Sequence, residues 1–243
     1  MKPSSLRFFA AGMIVPAGLY AATCGAAKPD AMDAAAVAPD VYKTVIDNET
    51  VRVLEVNLTA GAKEPAHSHV WPGVIIQDGP RPGSPDQVRN FKISWEPATK
   101  LDKGGVTKAP LHYLRVELKK GDCAPVKNPP LPATDGVIAK DPTIKVALEN
   151  DYVRMLEMEV KPGESEPPHT HTWPTVLYYY RLPTSRRGTT DGKPAVDRPE
   201  LTKEQITWEG FSQPVHTLLN TGSFLYQAHR LEIKPVTDEA VKK

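Results

Sequence analysis

Two pairs of histidines stand at matching places in two similar stretches of the sequence. His67 and His69 form the first His-x-His pair and His169 and His171 form the second, and each pair follows a glycine after five intervening residues. In a β-strand, residues i and i+2 point to the same side, so each pair can direct both imidazoles into one cavity. Neutral imidazoles that converge in a partly dry pocket suit a divalent transition metal ion. Both pairs are therefore candidate metal ligands.

The histidine pairs belong to an internal repeat. Residues 46–76 and 148–178 align without a gap at an offset of 102, and thirteen of the 31 positions are identical. The match resumes at residues 93–96 and 206–209, now at an offset of 113, so the second copy carries about eleven extra residues. This insertion, around residues 186–199, is hydrophilic and contains Gly, Pro and Asp. Such a composition predicts a surface loop.

The residue pattern of each copy indicates β-structure. Residues 51–58 and 153–160 alternate apolar and polar side chains, which is typical of a half-buried strand, and turns containing Gly and Pro follow. Repeated short strands with frequent turns favour barrels or sandwiches. We expect an all-β chain with two tandem barrels. The expected divisions are a linker at 28–40, barrel 1 at 41–122, a Pro-rich linker at 123–141, barrel 2 at 142–237 and a tail at 238–243.

The N-terminus resembles a targeting segment. Lys2 and Arg7 precede a short apolar stretch at residues 8–22, and small residues follow it. We expect residues 1–27 to be a signal peptide, with cleavage after Ala27, and the protein to be exported to the periplasm or secreted.

The two cysteines carry further expectations. Cys24 leaves a lipoprotein interpretation open, in which the membrane would be a partner. Removal of residues 1–27 would leave Cys123 as an unpaired thiol in the linker and no internal disulfide.

Charge excludes one class of partner. The chain has a formal net charge of +1 and a pI near 7.8, and its Lys and Arg residues are scattered among acidic ones. A stripe of basic residues that could neutralise phosphates is missing from the sequence, so nucleic acid is not expected as a partner.

The repeated Gly and His-x-His motifs give the chain a resemblance to two-barrel members of the cupin superfamily, over most of residues 41–237. In cupins a second motif supplies a further histidine, often followed by an asparagine, and His216 with Asn220 fits it in the second copy. The resemblance implies jelly-roll barrels of the double-stranded β-helix type. It also implies a metal site at His169, His171 and His216, and a weaker one at His67 and His69.

The motifs depart from the cupin pattern in two ways. The acidic ligand expected after the His-x-His pair is missing from both copies, and the first copy has no counterpart of His216. A divalent ion (Fe, Mn, Ni or Zn) in the second barrel would have three imidazole ligands. Some three-histidine cupins, thiol dioxygenases among them, hold iron in this way. The first barrel keeps two histidines unless His112 turns inward from its last strand.

Other repeated residues are expected to lie away from the sites. Glu64 and Glu166 stand an odd number of positions before the histidines, so a regular strand would point them away. Arg52 and Arg154 are expected to form surface or inter-barrel ion pairs.

The resemblance leaves the function open, because cupin folds host many activities. One hypothesis is an exported metal-binding protein that acts on or recognises a small organic molecule; if it is an enzyme, metal-dependent dioxygenation is the expected chemistry. The alternative is a non-catalytic protein that binds a carbohydrate or another small ligand without metal. A homodimer also stays open.

Overall fold

The computed structural model describes residues 24–240 apart from Ala26, Asp86 and Phe211, so most of the expected signal peptide and the last tail residues lie outside the described residues. The described part contains one short helix and a series of β-strands. They are α1 (Ala34–Val37), β1 (Tyr42–Asp47), β2 (Val51–Leu58), β3 (Lys63–Glu64), β4 (His67–His69), β5 (Gly73–Pro80), β6 (Arg89–Glu96), β7 (Thr99–Asp102), β8 (Gly105–Val106), β9 (Leu111–Leu118), β10 (Cys123–Pro125), β11 (Ile144–Glu149), β12 (Val153–Val160), β13 (Thr175–Tyr179), β14 (Ser185–Thr189), β15 (Val196–Arg198), β16 (Gln205–Glu209), β17 (His216–Asn220), β18 (Tyr226–Ile233) and β19 (Val236–Ala240). None of the helical structure in these residues is long and apolar enough to cross a membrane.

Each repeat builds a barrel on one five-stranded antiparallel sheet. The strand order is β1-β2-β9-β5-β6 in barrel 1 and β11-β12-β18-β13-β16 in barrel 2. The register is the same in both, since Val74 lies opposite Trp95 in barrel 1 and Val176 lies opposite Trp208 in barrel 2. The expected all-β class with two tandem barrels is confirmed.

Alternation along β2 separates the inside of barrel 1 from its contact with barrel 2. Leu54 and Val56 pack inside the barrel, whereas Val51 and Val53 belong to an apolar cluster that both barrels share. Successive side chains of a strand point to opposite faces, so one strand serves both cores. The barrels therefore pack the outer faces of their large sheets against each other.

His229, on β18, is buried in this contact between the barrels. Its ring centroid lies 3.6 Å from that of Phe91, and neither ring nitrogen has a hydrogen-bond partner among the described residues. Burial lowers the pKa of His229 to about 3. An unfolded histidine titrates near 6.5, so the unfolded chain binds a proton that the folded chain does not bind between these values. The free energy of unfolding therefore keeps its full value above about pH 6.5 and decreases as the pH falls below that value.

Replacement of His229 by Leu is expected to flatten this pH dependence. Between pH 6.5 and pH 5.0, His229 alone costs the folded state about 2 kcal/mol, because each pH unit of differential protonation is worth about 1.4 kcal/mol. Urea unfolding at pH 7.5 and pH 5.0 measures this. The parent should lose about 2 kcal/mol more than H229L, and equal losses would contradict the assignment.

The segments expected to be linkers take part in the barrels. Asp33, within residues 28–40, caps α1 and forms a parallel bridge with Ser68. Asp135, within residues 123–141, forms the equivalent bridge with Thr170. Both carboxylates are buried because each forms an ion pair with an arginine inside its barrel. The description of these segments as linkers needs correction.

The C-terminal end of the described chain is also part of a sheet. Strand β10 pairs with β19, so residues 238–240 belong to a strand and not to a free tail.

Cys24 forms a disulfide with Cys123, and their Cα atoms are 4.9 Å apart. The expectation of an unpaired Cys123 and no internal disulfide is wrong. Gly25 holds the N-terminal segment beside β10, where its backbone N–H donates to Asp122 Oδ1 at 2.8 Å. A chain cut after Ala27 would lack Cys24 and could not form the disulfide. A lipid on the Cys24 sulfur would also prevent the disulfide.

The insertion of the second copy is a hairpin and not an irregular loop. Strands β14 and β15 pair with each other, and β14 also pairs with β17. Because β17 begins at His216, the hairpin becomes a wall of the barrel-2 cavity.

Candidate metal centre

The structure brings His169, His171 and His216 together inside barrel 2. The backbones of His169 and His216 exchange two hydrogen bonds, of 3.0 and 2.8 Å, which fix the His-x-His segment beside β17. All three side chains are buried, and each offers a nitrogen within 4.8 Å of the other two. The Nε2 atoms of His169 and His171 are 3.2 Å apart. This spacing suits ligands that share one ion at about 2.0–2.2 Å.

The opposite ring nitrogens face acceptors. Nδ1 of His169 donates to the Pro167 carbonyl oxygen at 3.0 Å and lies 3.1 Å from Asp141 Oδ2. Nδ1 of His216 donates to the Pro214 carbonyl oxygen at 2.9 Å. A carbonyl oxygen only accepts, so these Nδ1 atoms carry the hydrogens and the Nε2 lone pairs face the cavity. Outer partners of this kind orient the ligands of metal sites.

Two of the three histidines are held neutral, which is the form that binds a metal ion. Burial lowers the pKa of His216 to about 2 and lowers that of His171 well below the usual value. For His169, burial lowers the pKa, but Asp141 and the Pro167 carbonyl raise it on balance. Two Nε2 lone pairs at 3.2 Å repel unless a proton or a cation lies between them. The donor set therefore fits a divalent transition ion.

A buried ionic chain supports His171. Glu232 Oε1 lies 3.3 Å from His171 Nδ1, and Oε2 of the same carboxylate accepts from Arg154 Nε at 2.6 Å. Arg154 in turn donates to both oxygens of Asp135, at 3.1 and 2.9 Å. The expectation that Arg154 forms a surface or inter-barrel pair is wrong, because these two carboxylates hold it inside the barrel.

Barrel 1 repeats the ionic chain. Arg52 donates to Asp33 and to Glu117, and Glu117 Oε1 lies 2.9 Å from His69 Nδ1. The expectation of a surface pair is therefore wrong for Arg52 as well.

The cavity of barrel 1 differs at the remaining ligand positions. The Tyr42 hydroxyl contacts Glu64 and lies 3.1 Å from His67 Nε2, which already gives that nitrogen a partner. The register of β4 and β7 sets Asp102 opposite His67, where barrel 2 has His216 opposite His169. Asp102 is exposed and accepts from the Gly104 N–H. His67 and His69 are thus adjacent, but a tyrosine occupies the third position.

A small cavity of about 50 Å³ adjoins the histidines of barrel 2. Arg230 is buried in its wall and donates to Glu209 Oε2 at 3.0 Å, while its Nε and Nη1 have no partner among the described residues. Arg187, from the insertion hairpin, donates to Gln213 at 3.0 Å and has an unpartnered Nε. Arg198 and Tyr179 also line this wall.

Glu166 also lines the cavity. The expectation that it points away from the histidines is wrong, because residues 161–168 form a turn and an irregular segment in which the strand period does not apply. Burial raises the pKa of Glu166 to about 7, so the group is poised to exchange a proton near neutral pH.

His112 does not turn into barrel 1. Its ring lies between the barrels, with Nδ1 3.0 Å from Asp78 Oδ1.

The two repeated tryptophans pack against the buried arginines. The guanidinium carbon of Arg52 lies 4.9 Å from the ring centre of Trp71, and that of Arg154 lies 4.6 Å from the ring centre of Trp173.

Sequence analysis missed the cavity arginines and the buried carboxylates. The repeated Arg-x-Glu of the last strands, with Arg115 and Glu117 matching Arg230 and Glu232, was the signal that could have found two of them. Arg187 and Arg198 lie in the insertion, for which the repeat offers no counterpart.

Comparisons with known proteins give cupin-fold similarities at low scores. The structures found include a cupin domain from Bordetella pertussis Tohama I, with 21% identity over 38% of this chain and 92% of that chain and a TM-score of 0.34. AerE from Microcystis aeruginosa has 10% identity over 80% and 98% of the two chains, with a TM-score of 0.44. Oxalate decarboxylase from Bacillus subtilis has 12% identity over 79% and 69%, also with a TM-score of 0.44. No family model and no curated protein sequence matches the chain.

Proposed function

We propose that the protein is a bicupin that binds one divalent transition metal ion in barrel 2 and acts on a small organic acid there. The observation that carries this proposal is the convergence of one ring nitrogen from each of His169, His171 and His216, while Nδ1 of His169 and Nδ1 of His216 donate to carbonyl oxygens. A divalent ion with three imidazole ligands keeps positions open and supplies Lewis-acid or oxygenation chemistry when bound.

The cavity wall favours a carboxylate as the ligand. Arg187, Arg198 and Arg230 outnumber Glu166 and Glu209, and burial makes one of these carboxylates easy to protonate. The N–H groups of Arg230 and Arg187 that have no partner among the described residues can donate to a further anion, and carboxylates match the forked donors of a guanidinium. A volume of about 50 Å³ has room for roughly four water-sized groups, which limits the ligand to a few heavy atoms.

The residues then have separate roles. Arg230 and Arg187 bind and orient the carboxylate, and Glu166 gives or takes a proton at the ligand. The buried wall around them limits the entry of water, which strengthens each of these polar contacts.

The first test is the metal content of the protein purified without added metal or chelator. We expect about one transition ion per chain at the histidine site. A protein that is purified without metal and is nevertheless thermally stable would instead favour a ligand-binding protein whose histidines form hydrogen bonds with the ligand.

The second test compares acetate with acetamide, which have the same shape and differ in charge. Calorimetry on the metal-loaded protein should show acetate binding at least about tenfold more tightly, because acetamide lacks the charge that the guanidinium groups pair with. R187Q should lose most of this preference. The matched control is R186Q, since Arg186 is the next residue on β14 and pairs with Asp197 at the surface. Equal binding of the two probes, or equal losses in both variants, would exclude the anion site.

We also propose that the protein is exported and that cleavage precedes Cys24. Disulfides persist in oxidising compartments, and the Cys24–Cys123 bond requires that residue 24 is kept. The intact mass of the processed protein tests this, and a chain that begins after Cys24 would refute it.

A further inference from the structure

We propose a second divalent cation site between the barrels, formed by Glu55 and His112 of barrel 1 and Glu204 of barrel 2. Nε2 of His112 lies 3.7 Å from Glu55 Oε1 and 3.8 Å from Glu204 Oε1. The three ligand atoms all lie within 4.8 Å of one another. One imidazole and two carboxylates are a donor set that zinc and manganese accept.

The distances favour an ion over direct contacts. Separations of 3.7 and 3.8 Å are too long for hydrogen bonds between the imidazole and the carboxylates. Ligands bound at 2.0–2.2 Å in a tetrahedral site are about 3.3–3.6 Å apart, so the two separations from His112 Nε2 lie within a few tenths of an ångström of those in a coordinated set.

The hydrogen bonds at the site leave the ligand nitrogen free. His112 Nδ1 donates to Asp78 Oδ1 at 3.0 Å, and Asp78 also accepts from Arg89 Nε at 2.9 Å. The hydrogen of a neutral His112 therefore lies on Nδ1, and the Nε2 lone pair faces the two glutamates. A carboxylate behind a ligating histidine is the usual outer support of a metal site.

Two buried polar atoms at the site have no hydrogen-bond partner among the described residues. Glu204 Oε1 is one and the hydroxyl of Tyr178 is the other, and Tyr178 is almost completely buried. The Tyr178 hydroxyl lies close enough to affect the Glu204 carboxyl. The hydroxyl can donate to only one lone pair of this carboxylate, so the remaining lone pairs are free for a cation.

Carboxylates predominate around the site. Those of Asp78, Glu204 and Glu55 surround His112 and raise its pKa, so an ion bound at Nε2 would take the place of a proton there. Arg89 pairs with Asp78, and Lys43 reaches Glu55 from an exposed position at 3.7 Å. The ligands are about one quarter exposed, so an ion can enter from solvent. Because they come from both barrels, the bound ion would fix the barrels to each other.

The experiment uses the full chain, stripped with chelator and titrated with zinc. The parent should bind about two zinc ions, and E204Q or H112Q about one. The matched control is E157Q, since Glu157 is the repeat counterpart of Glu55 and pairs with the exposed Lys145, and it should still bind about two.

A second measurement separates this site from the histidine triad. In an H216A background, zinc should raise the unfolding temperature, and adding E204Q should abolish that rise. Loss of the rise supports the inter-barrel site even if the triad binds no metal. The same zinc count and the same rise with and without E204Q would overturn the proposal.

Discussion

Replacement of Arg154 by Met is expected to lower the free energy of unfolding by about 3–5 kcal/mol, which is a large part of the stability of a typical domain. The side chain of Arg154 is 2% exposed, and both of its carboxylate partners, Asp135 and Glu232, are fully buried. Methionine fills the volume but leaves two buried carboxylates without their cation. The cost is the desolvation of those charges and not the loss of a contact.

The repeat supplies the matched variants for this test. R52M removes the equivalent arginine of barrel 1 and should destabilise by a similar amount, whereas K145M removes a surface pair with Glu157 and should change stability by less than about 1 kcal/mol. Only R154M should also weaken metal binding, by about 10–100-fold, because Glu232 supports His171. Urea unfolding and zinc titration measure the two effects. A loss below about 1 kcal/mol in R154M would contradict the buried-charge account.

The architecture and the histidine triad could be predicted because their signals are local and repeated. The alternation of apolar and polar residues at 51–58 and 153–160 predicts which side chains of these strands face the core. The repeat of the same sequence pattern at a constant offset predicts two barrels. His216 could be matched to its partners because a motif marks it. The strand faces and the His-x-His pairs depend on short spacing along the chain, whereas His216, which lies far beyond His171, was found through the resemblance to cupins.

The features that were missed depend on distant contacts. Asp135 lies 19 residues from Arg154 along the chain, in a segment whose prolines resemble a linker, and only folding brings the two together. Cys24 was assigned to a signal peptide, so its pairing with Cys123 could not be foreseen. The insertion has the composition of a loop because most of its residues are exposed and two others, Arg187 and Arg198, line a polar cavity and not an apolar core.

Replacement of His216 by Ala is expected to remove the metal of barrel 2. His169 and His171 would remain, but two imidazoles are a poor site. The backbone hydrogen bonds between residues 169 and 216 do not involve the side chain, so the change removes a ligand and keeps the strand pairing. His67 of barrel 1, the repeat counterpart of His169, is the control position, because the Tyr42 hydroxyl already lies 3.1 Å from its Nε2 atom. Its replacement removes no ligand of the proposed centre.

Metal counting by mass spectrometry on the parent, H216A and H67A, purified side by side without added metal, tests the proposed centre most directly. The count should fall by about one ion per chain in H216A and stay at the parental value in H67A. Equal losses in both variants, or a parent without metal, would contradict a metal centre at His169, His171 and His216.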